Sequence, residues 1–146
     1  DNATWMSTDR IFVGNQGTGT LNILNGSTVT SGGLNPFIGA SSTATGTLLV
    51  DGTGTTYNVS NTGDFAMRGL NSSITVSGGA ELSTQGRVFL LADGGTTNEV
   101  LVSGAGSRWT TGNEVSLGHT LSTTARPTAH STSVTAAAPA CSTPPM

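Results

Sequence analysis

The residues best suited to catalysis in this sequence are carboxylates, because pairs of Asp or Glu cleave glycosidic bonds. The candidates are Asp51, Asp64, Glu81, Asp93, Glu99 and Glu114. Asp64 and Asp93 are separated by nearly one period of the chain's internal repeat, with Arg68 nearby. Both aspartates lie next to a glycine, which is typical of turn residues. The turn interpretation is favoured, so no catalytic residue is predicted.

Histidine and cysteine offer no metal chemistry. The histidines are His119 and His130, and the single cysteine, Cys141, lies well beyond both of them in the chain. This spacing matches no zinc motif, and one cysteine cannot form an internal disulfide. No metal and no cofactor are predicted.

Two aromatic residues are candidates for a surface contact with a sugar or a protein. Tyr57 and Trp109 each follow a repeat glycine at the same distance, and Ser31 and Ser83 are assigned to the same position in the other repeats. Exposed rings at one repeat position would form a contact face. Packing at a corner of the fold is the favoured alternative.

Composition excludes several classes of protein. The chain has 146 residues, a net charge of −3, no lysine and five scattered arginines, so it lacks the basic surface that nucleic acids require. No apolar run approaches the roughly 18 residues of a membrane helix. The first residues contain neither a basic segment nor an apolar one, so no signal peptide is predicted within this sequence. Neither a nucleic acid partner nor a membrane span is predicted.

A regular internal repeat must position these side chains. It is marked by the evenly spaced glycines Gly26, Gly52, Gly78 and Gly104. An aliphatic–x–aliphatic phrase precedes each glycine, as in Ile74-Thr-Val76. The first copy carries one extra residue, assigned to Leu24. A period of roughly 26 residues, made of short alternating fragments, predicts a stack of similar coils.

Each coil divides into three short strands, so the sequence predicts an all-β solenoid of about four coils. Equivalent side chains should stack about 4.8 Å apart along the axis. The expected stacks are an aromatic column, an aliphatic column and a polar turn: Phe12, Phe37, Phe65 and Phe89; Ile23, Val50, Val76 and Val102; and Asn25, Asp51, Ser77 and Ser103.

The predicted organisation has three parts. Residues 1–10 form a lead-in, residues 11–118 form the repeats, and residues 119–146 form a disordered tail rich in Ala, Ser, Thr and Pro. All 21 glycines lie at or before Gly118. Neither end offers an amphipathic cap, so the chain is interpreted as a piece of a longer array whose exposed coil ends favour self-association.

The strings TGTLLVDGTGTTYNVSNTGD (45–64) and NEVLVSGAGSRWTTGNEVSLG (98–118) resemble the passenger repeats of bacterial autotransporter proteins. The resemblance covers about residues 11–118. It implies a right-handed parallel β-helix that is exported through the outer membrane and displayed on the cell surface. It also implies an adhesive, non-enzymatic role in attachment or autoaggregation, with surface proteins or glycans of host or neighbouring cells as partners.

Two alternatives stay open. A fragment of a polysaccharide-cleaving β-helix enzyme or phage tailspike would group Asp64, Asp93 and Arg68 in one groove. An aberrantly terminated product would leave residues 119–146 without a role.

Overall fold

A computed structural model describes residues 2–91, 97–119 and 131–137. These residues form strands, turns and loops, with no helix among them. In chain order the strands are β1 (Thr4–Ser7), β2 (Phe12–Val13), β3 (Thr18–Leu24), β4 (Thr28–Ser31), β5 (Phe37–Ile38), β6 (Thr45–Asp51), β7 (Thr56–Val59), β8 (Phe65–Met67), β9 (Ser73–Ser77), β10 (Glu81–Thr84), β11 (Val88–Leu91), β12 (Thr97–Ser103), β13 (Arg108–Thr111), β14 (Val115–His119) and β15 (Ser131–Ala137).

Every third strand joins the same parallel sheet. The first sheet has the order β1-β4-β7-β10-β13, the second β2-β5-β8-β11-β14 and the third β3-β6-β9-β12-β15. Consecutive strands therefore visit the three sheets in turn, and each strand pairs with its equivalent in the next coil. This architecture is a β-solenoid of about four turns, as the repeat predicted.

Alternation along each strand separates a buried side from an outer side. In β6, Gly46, Leu48 and Val50 are buried, while the residues between them are partly exposed. The register aligns Ile23 with Val50, Val50 with Val76 and Val76 with Val102, which confirms the predicted aliphatic column. The core is consequently narrow, a few side chains per coil, and is shared between neighbouring coils.

The repeat glycines form the turn between the third sheet and the first. Gly26, Gly52, Gly78 and Gly104 have φ values of 76°, 98°, 62° and 87°. This left-handed region strains residues that carry a Cβ. At Gly78 a Cβ would also lie 2.9 Å from the backbone nitrogen of Gly52 in the preceding coil. These glycines recur at a fixed spacing because each coil needs a residue without a Cβ at this left-handed turn.

The predicted polar column at this turn is shifted by one residue in the first coil. The register aligns Leu24 with Asp51 and Asp51 with Ser77, so the inserted residue is Asn25 and not Leu24. Asn25 has a φ of 57°, which Asn tolerates better than most residues. The Ser77 hydroxyl donates to Asp51 Oδ1 at 2.6 Å and joins two coils.

The predicted four-residue aromatic column is wrong at Phe65. Phe12 aligns with Phe37, but Phe37 and Phe89 both align with Ala66. Phe65 lies one residue earlier, aligns with Val88 and is fully buried. Because side chains alternate between faces, a shift of one residue turns Phe65 inward while the other three rings remain outside.

A buried polar ladder at the start of the third sheet was not foreseen. The Gly46 amide donates to Ser72 Oγ at 3.0 Å, and the Ser72 amide donates to Asn98 Oδ1 at 3.0 Å. Asn98 Nδ2 in turn donates to the Leu91 carbonyl at 2.9 Å. Ser72 and Asn98 are each 1% exposed. These side chains satisfy backbone groups that the corner would otherwise bury without partners.

Strands extend beyond the predicted repeat limits on both sides. Within the predicted lead-in, Thr4–Ser7 pairs with Thr28–Ser31. Within the predicted disordered tail, Ser131–Ala137 pairs with Thr97–Ser103 in the third sheet. Its sequence, Ser-Thr-Ser-Val-Thr-Ala-Ala, aligns Val134 with Val100 although it lacks the expected glycine phrase. The other tail residues, 120–130 and 138–146, lie outside the described residues.

Within the described parts of the chain, no helix has the length and apolar character needed to cross a bilayer.

Candidate functional site

Tyr57 is a core residue and not a surface contact. Its side chain is fully buried, and the register places it between Val29 and Leu82 on the inner side of the first sheet. Burial raises the pKa of Tyr57 to about 12, an effect that the neighbouring Ser31 hydroxyl partly offsets. The prediction that Tyr57 forms a surface contact is therefore wrong, because its ring is not accessible.

Trp109 lies in β13, the last strand of the first sheet, and aligns with Leu82 in the same inner column. Its ring is half-buried and meets the Phe65 ring edge-on, with 6.4 Å between centroids and 76° between planes. The indole Nε1 donates to Thr84 Oγ1 at 3.3 Å. These packing contacts explain the position of the Trp109 ring. A contact role for Trp109 stays a prediction.

Two of the candidate carboxylates form ion pairs with arginines in the following coil. Arg87 Nε donates to Asp64 Oδ1 at 2.9 Å, and its Nη2 donates to Asp64 Oδ2 at 3.1 Å. On the first sheet, Arg108 pairs with Glu81. Because Asp93 lies outside the described residues, the predicted grouping of Asp64 with Asp93 is not tested. No cluster of three or more His, Cys, Asp or Glu side chains occurs among the described residues.

The outer face of the second sheet carries a row of aromatic rings with one gap. Phe12, Phe37, Ala66 and Phe89 occupy consecutive aligned positions of β2, β5, β8 and β11. Ala66 is the small member, so a recess of about 290 Å³ opens above it, between Phe37 and Phe89. We call this recess the aromatic notch; it is lined by Asn35, Phe37, Asp64, Ala66, Arg87, Phe89 and Leu91.

Each aromatic wall of the notch is braced by a neighbour. The Phe37 ring packs against Phe12, with centroids 5.8 Å apart and planes inclined by 33°. The Arg87 guanidinium lies 5.1 Å from the centre of the Phe89 ring, a distance at which cation–π attraction operates. These contacts restrict the orientation of both rings.

A polar rim borders one side of the notch. It consists of the Asp64–Arg87 ion pair and of Asn35, whose Oδ1 accepts a hydrogen bond from the Asp64 amide at 2.9 Å. Asn35 has a φ of 57° and belongs to the corner between the first and second sheets. The nearby Asn61 adds to this corner by donating from Nδ2 to the Gly33 carbonyl.

Sequence reasoning missed the notch because it placed all four phenylalanines in one column. One signal was available in the residues that flank each ring. Phe89 lies between two aliphatic residues in Val88–Leu90, so alternation places it on the face opposite to theirs. In Phe65–Met67 the order is reversed, since the two large apolar residues flank an alanine. Alternation therefore assigns Phe65 to the inner face and Ala66 to the outer one, as the structure shows.

Comparison with known proteins gives one informative match. The chain is 35% identical over 115 aligned residues to a protein named adhesin BmaC autotransporter from Brucella suis biovar 1 (strain 1330). The alignment covers 75% of this chain and 3% of that protein, so the chain spans a small part of its relative's length. No protein-family profile matches, and no solved structure matches significantly. The match and the solenoid fold confirm the resemblance to autotransporter passenger repeats.

Proposed function

We propose that the chain is a structural and adhesive segment of an autotransporter passenger, without enzymatic activity. The similarity to part of an autotransporter adhesin supports this proposal. The fold supports it as well, because three parallel sheets share one narrow core and leave their outer faces accessible. Stability in such an array accumulates from coil to neighbouring coil, which suits a long, stiff carrier of surface groups.

The single observation that carries the proposal is the continuity of pairing. Each sheet runs unbroken through five strands, from the coil that contains Thr4–Ser7 to the one that contains Ser131–Ala137. The backbone hydrogen bonds point along the solenoid axis, so they define a rod. The outer positions lie outside the core, and polar side chains such as Thr28, Thr56 and Asn58 line one shallow depression there.

In this proposal the segment is displayed at the bacterial cell surface and contacts proteins or glycans of a host or a neighbouring cell. Self-association is included, since the outermost strands expose apolar side chains. Met6 in β1 is 70% exposed, and Leu117 in β14 is 51% exposed. Such surfaces favour contact with a second solenoid.

A bead assay tests the adhesive role. Fluorescent beads coated with the purified chain are incubated with cultured epithelial cells or with each other. We expect attachment or clustering above the level of beads coated with an unrelated protein of similar net charge. Beads that neither attach nor cluster, while the bound chain keeps its β-type circular dichroism, would contradict the adhesive role.

A further inference from the structure

We infer that the aromatic notch binds one neutral sugar ring of a surface glycan, stacked between Phe37 and Phe89. This inference deepens the proposed adhesive function and rests on it for its biological setting. The binding chemistry itself is argued from the notch alone.

The width of the notch fits a single ring. Phe37 and Phe89 both align with Ala66, so their backbones are two strand spacings apart, about 9.6 Å. A ring held between two aromatic faces needs two van der Waals contacts, about 7 to 8 Å in total. One layer therefore fits when the two rings lean slightly towards each other, whereas two stacked layers would need about 10.5 to 12 Å and do not fit. The Ala66 side chain, 4% exposed, closes the floor.

The walls favour contact with apolar C–H groups of a ligand, whereas the rim favours hydrogen bonds with polar groups of the same ligand. Phenylalanine faces carry partial negative charge and attract the weakly positive C–H groups of a ring. Asp64, Arg87 and Asn35 offer hydrogen-bond acceptors and donors along one side of the recess. A pyranose ring presents both features, with C–H groups on its faces and hydroxyl groups around its edge. A few polar groups in a largely apolar recess are typical of small-molecule sites.

Charge and rigidity favour a neutral saccharide over other occupants. The Asp64 carboxylate is already paired with Arg87, so the rim has no net charge to attract an ionic ligand. A phenyl or prolyl side chain of a partner protein would fit the walls but would form no hydrogen bond with the rim, whereas sugar hydroxyl groups can use the hydrogen-bonding capacity that the Asp64–Arg87 pair and Asn35 retain. The Arg87 contacts to Asp64 and Phe89 hold rim and wall together before binding, which reduces the ordering cost.

The test uses isotope-labelled full chain and four probes, the methyl glycosides of glucose, galactose, mannose and N-acetylglucosamine. We expect at least one glycoside to shift the amide resonances of Asn35, Ala66 and Phe89, with a Kd on the order of 1 mM. Absence of any shift with all four glycosides would overturn the inference. A short peptide containing Phe and Pro that shifts these resonances when no glycoside does would also overturn it.

Two variants locate the binding. Ala66→Phe fills the notch with a ring that continues the outer row, and we expect affinity to fall about tenfold or more. Thr75→Phe adds the same ring to the outer face of the third sheet, between Leu49 and Leu101, and should leave affinity unchanged. Phe37→Leu, which removes one aromatic wall and keeps an apolar side chain, should also weaken binding. Undiminished binding in the two notch variants would refute the assignment.

The bead assay separates this inference from the adhesive role. If wild-type beads attach to cells while no glycoside binds, the adhesive role stands and the notch assignment fails. If glycosides bind at the notch while beads do not attach, the notch assignment stands and the adhesive role fails.

Discussion

Phe65 and Ala66 are adjacent in β8, yet they serve opposite sides of the solenoid. Phe65 is fully buried and packs within the core, whereas Ala66 forms the floor of a recess on the outer face. The inner neighbours of Phe65 are constrained by volume, because each must fill the space left by the coils above and below. The outer neighbours of Ala66 line an open recess and are not subject to that volume constraint. A solenoid of this kind divides each strand between residues that fill the core and residues that face outward.

The largest expected effect is on the inner side, at Tyr57. Tyr57→Ala removes a fully buried ring from the middle of the first sheet and should lower the free energy of unfolding by about 3 to 5 kcal/mol. Urea unfolding followed by circular dichroism measures the loss. Trp109→Ala is the matched control, since its half-buried ring has fewer core neighbours and its loss should cost less. Equal costs for the two variants would contradict the assigned burial.

Alkaline pH probes the same inner position without removing the ring. Burial raises the pKa of Tyr57 to about 12 from an ordinary value of 10.0, so the folded state favours the neutral phenol. The free energy of unfolding is therefore unaffected by this ionisation below pH 10. Between pH 10 and pH 12 it falls by roughly 1.4 kcal/mol per pH unit, because the unfolded state loses the phenol proton first. Tyr57 is the only tyrosine, so its ionisation can be followed by ultraviolet absorbance. Tyr57→Phe should lack the added pH dependence, and a wild-type ionisation midpoint near 10 would disprove the shift.

A polar residue on the inner side should also be costly to remove. Asn98→Ala deletes the acceptor for the Ser72 amide and the donor to the Leu91 carbonyl, and should destabilise the fold by about 1 to 3 kcal/mol. Asn22→Ala, at an exposed position of β3 in the same sheet, is the control and should change stability by less than about 0.5 kcal/mol. Thermal unfolding compares the two. Similar losses of stability in the two variants would show that the hydrogen bonds of the buried ladder do not stabilise the fold.

The smallest stability change is expected on the outer side, at the rim of the notch. Asp64→Asn removes an ion pair whose side chains are 33% and 51% exposed, for Asp64 and Arg87 respectively. Such pairs contribute at most about 1 kcal/mol, and screening by salt reduces this further. Urea unfolding at low and high salt checks the value. A loss as large as that of Asn98→Ala would mean that the rim has a structural role as well.

The sequence predicted the features that depend on backbone geometry. The glycine turn and the aliphatic column through Val50 and Val76 follow from a left-handed φ and from period-two alternation, both of which are visible in residue types. The three strands of each coil follow from the same alternation. These features recur because every coil must meet its neighbour in register.

Positions beyond the glycine turn could not be counted from the sequence. The second strand of the coil starts at Thr28, close behind Gly26, but at Thr56 the turn after Gly52 is longer. Counting from the glycine therefore aligned Tyr57 with Ser31, whereas the register aligns it with Val29. A turn can lengthen slightly at little cost, and here two extra residues move the alignment of Tyr57 by one inward-facing position, from Ser31 to Val29.

The notch was hidden for a related reason. Its walls come from Phe37 and Phe89, and its rim from Asn35, Asp64 and Arg87, which lie in three different coils. Only the corner between the first and second sheets brings them together, and this corner varies in length from coil to coil. A site of this kind becomes visible once the strand register is known.

The direction of the hydrogen bonds has a mechanical consequence. In all three sheets the bonds between coils run parallel to the long axis, because strands lie across it and pair with the next coil. Tension applied along that axis passes through every layer of bonds in series, and a coil at the end of the stack pairs on one side only, so coils should peel away singly from an end. A filament that yields in small steps dissipates a sudden pull and loses only part of its length.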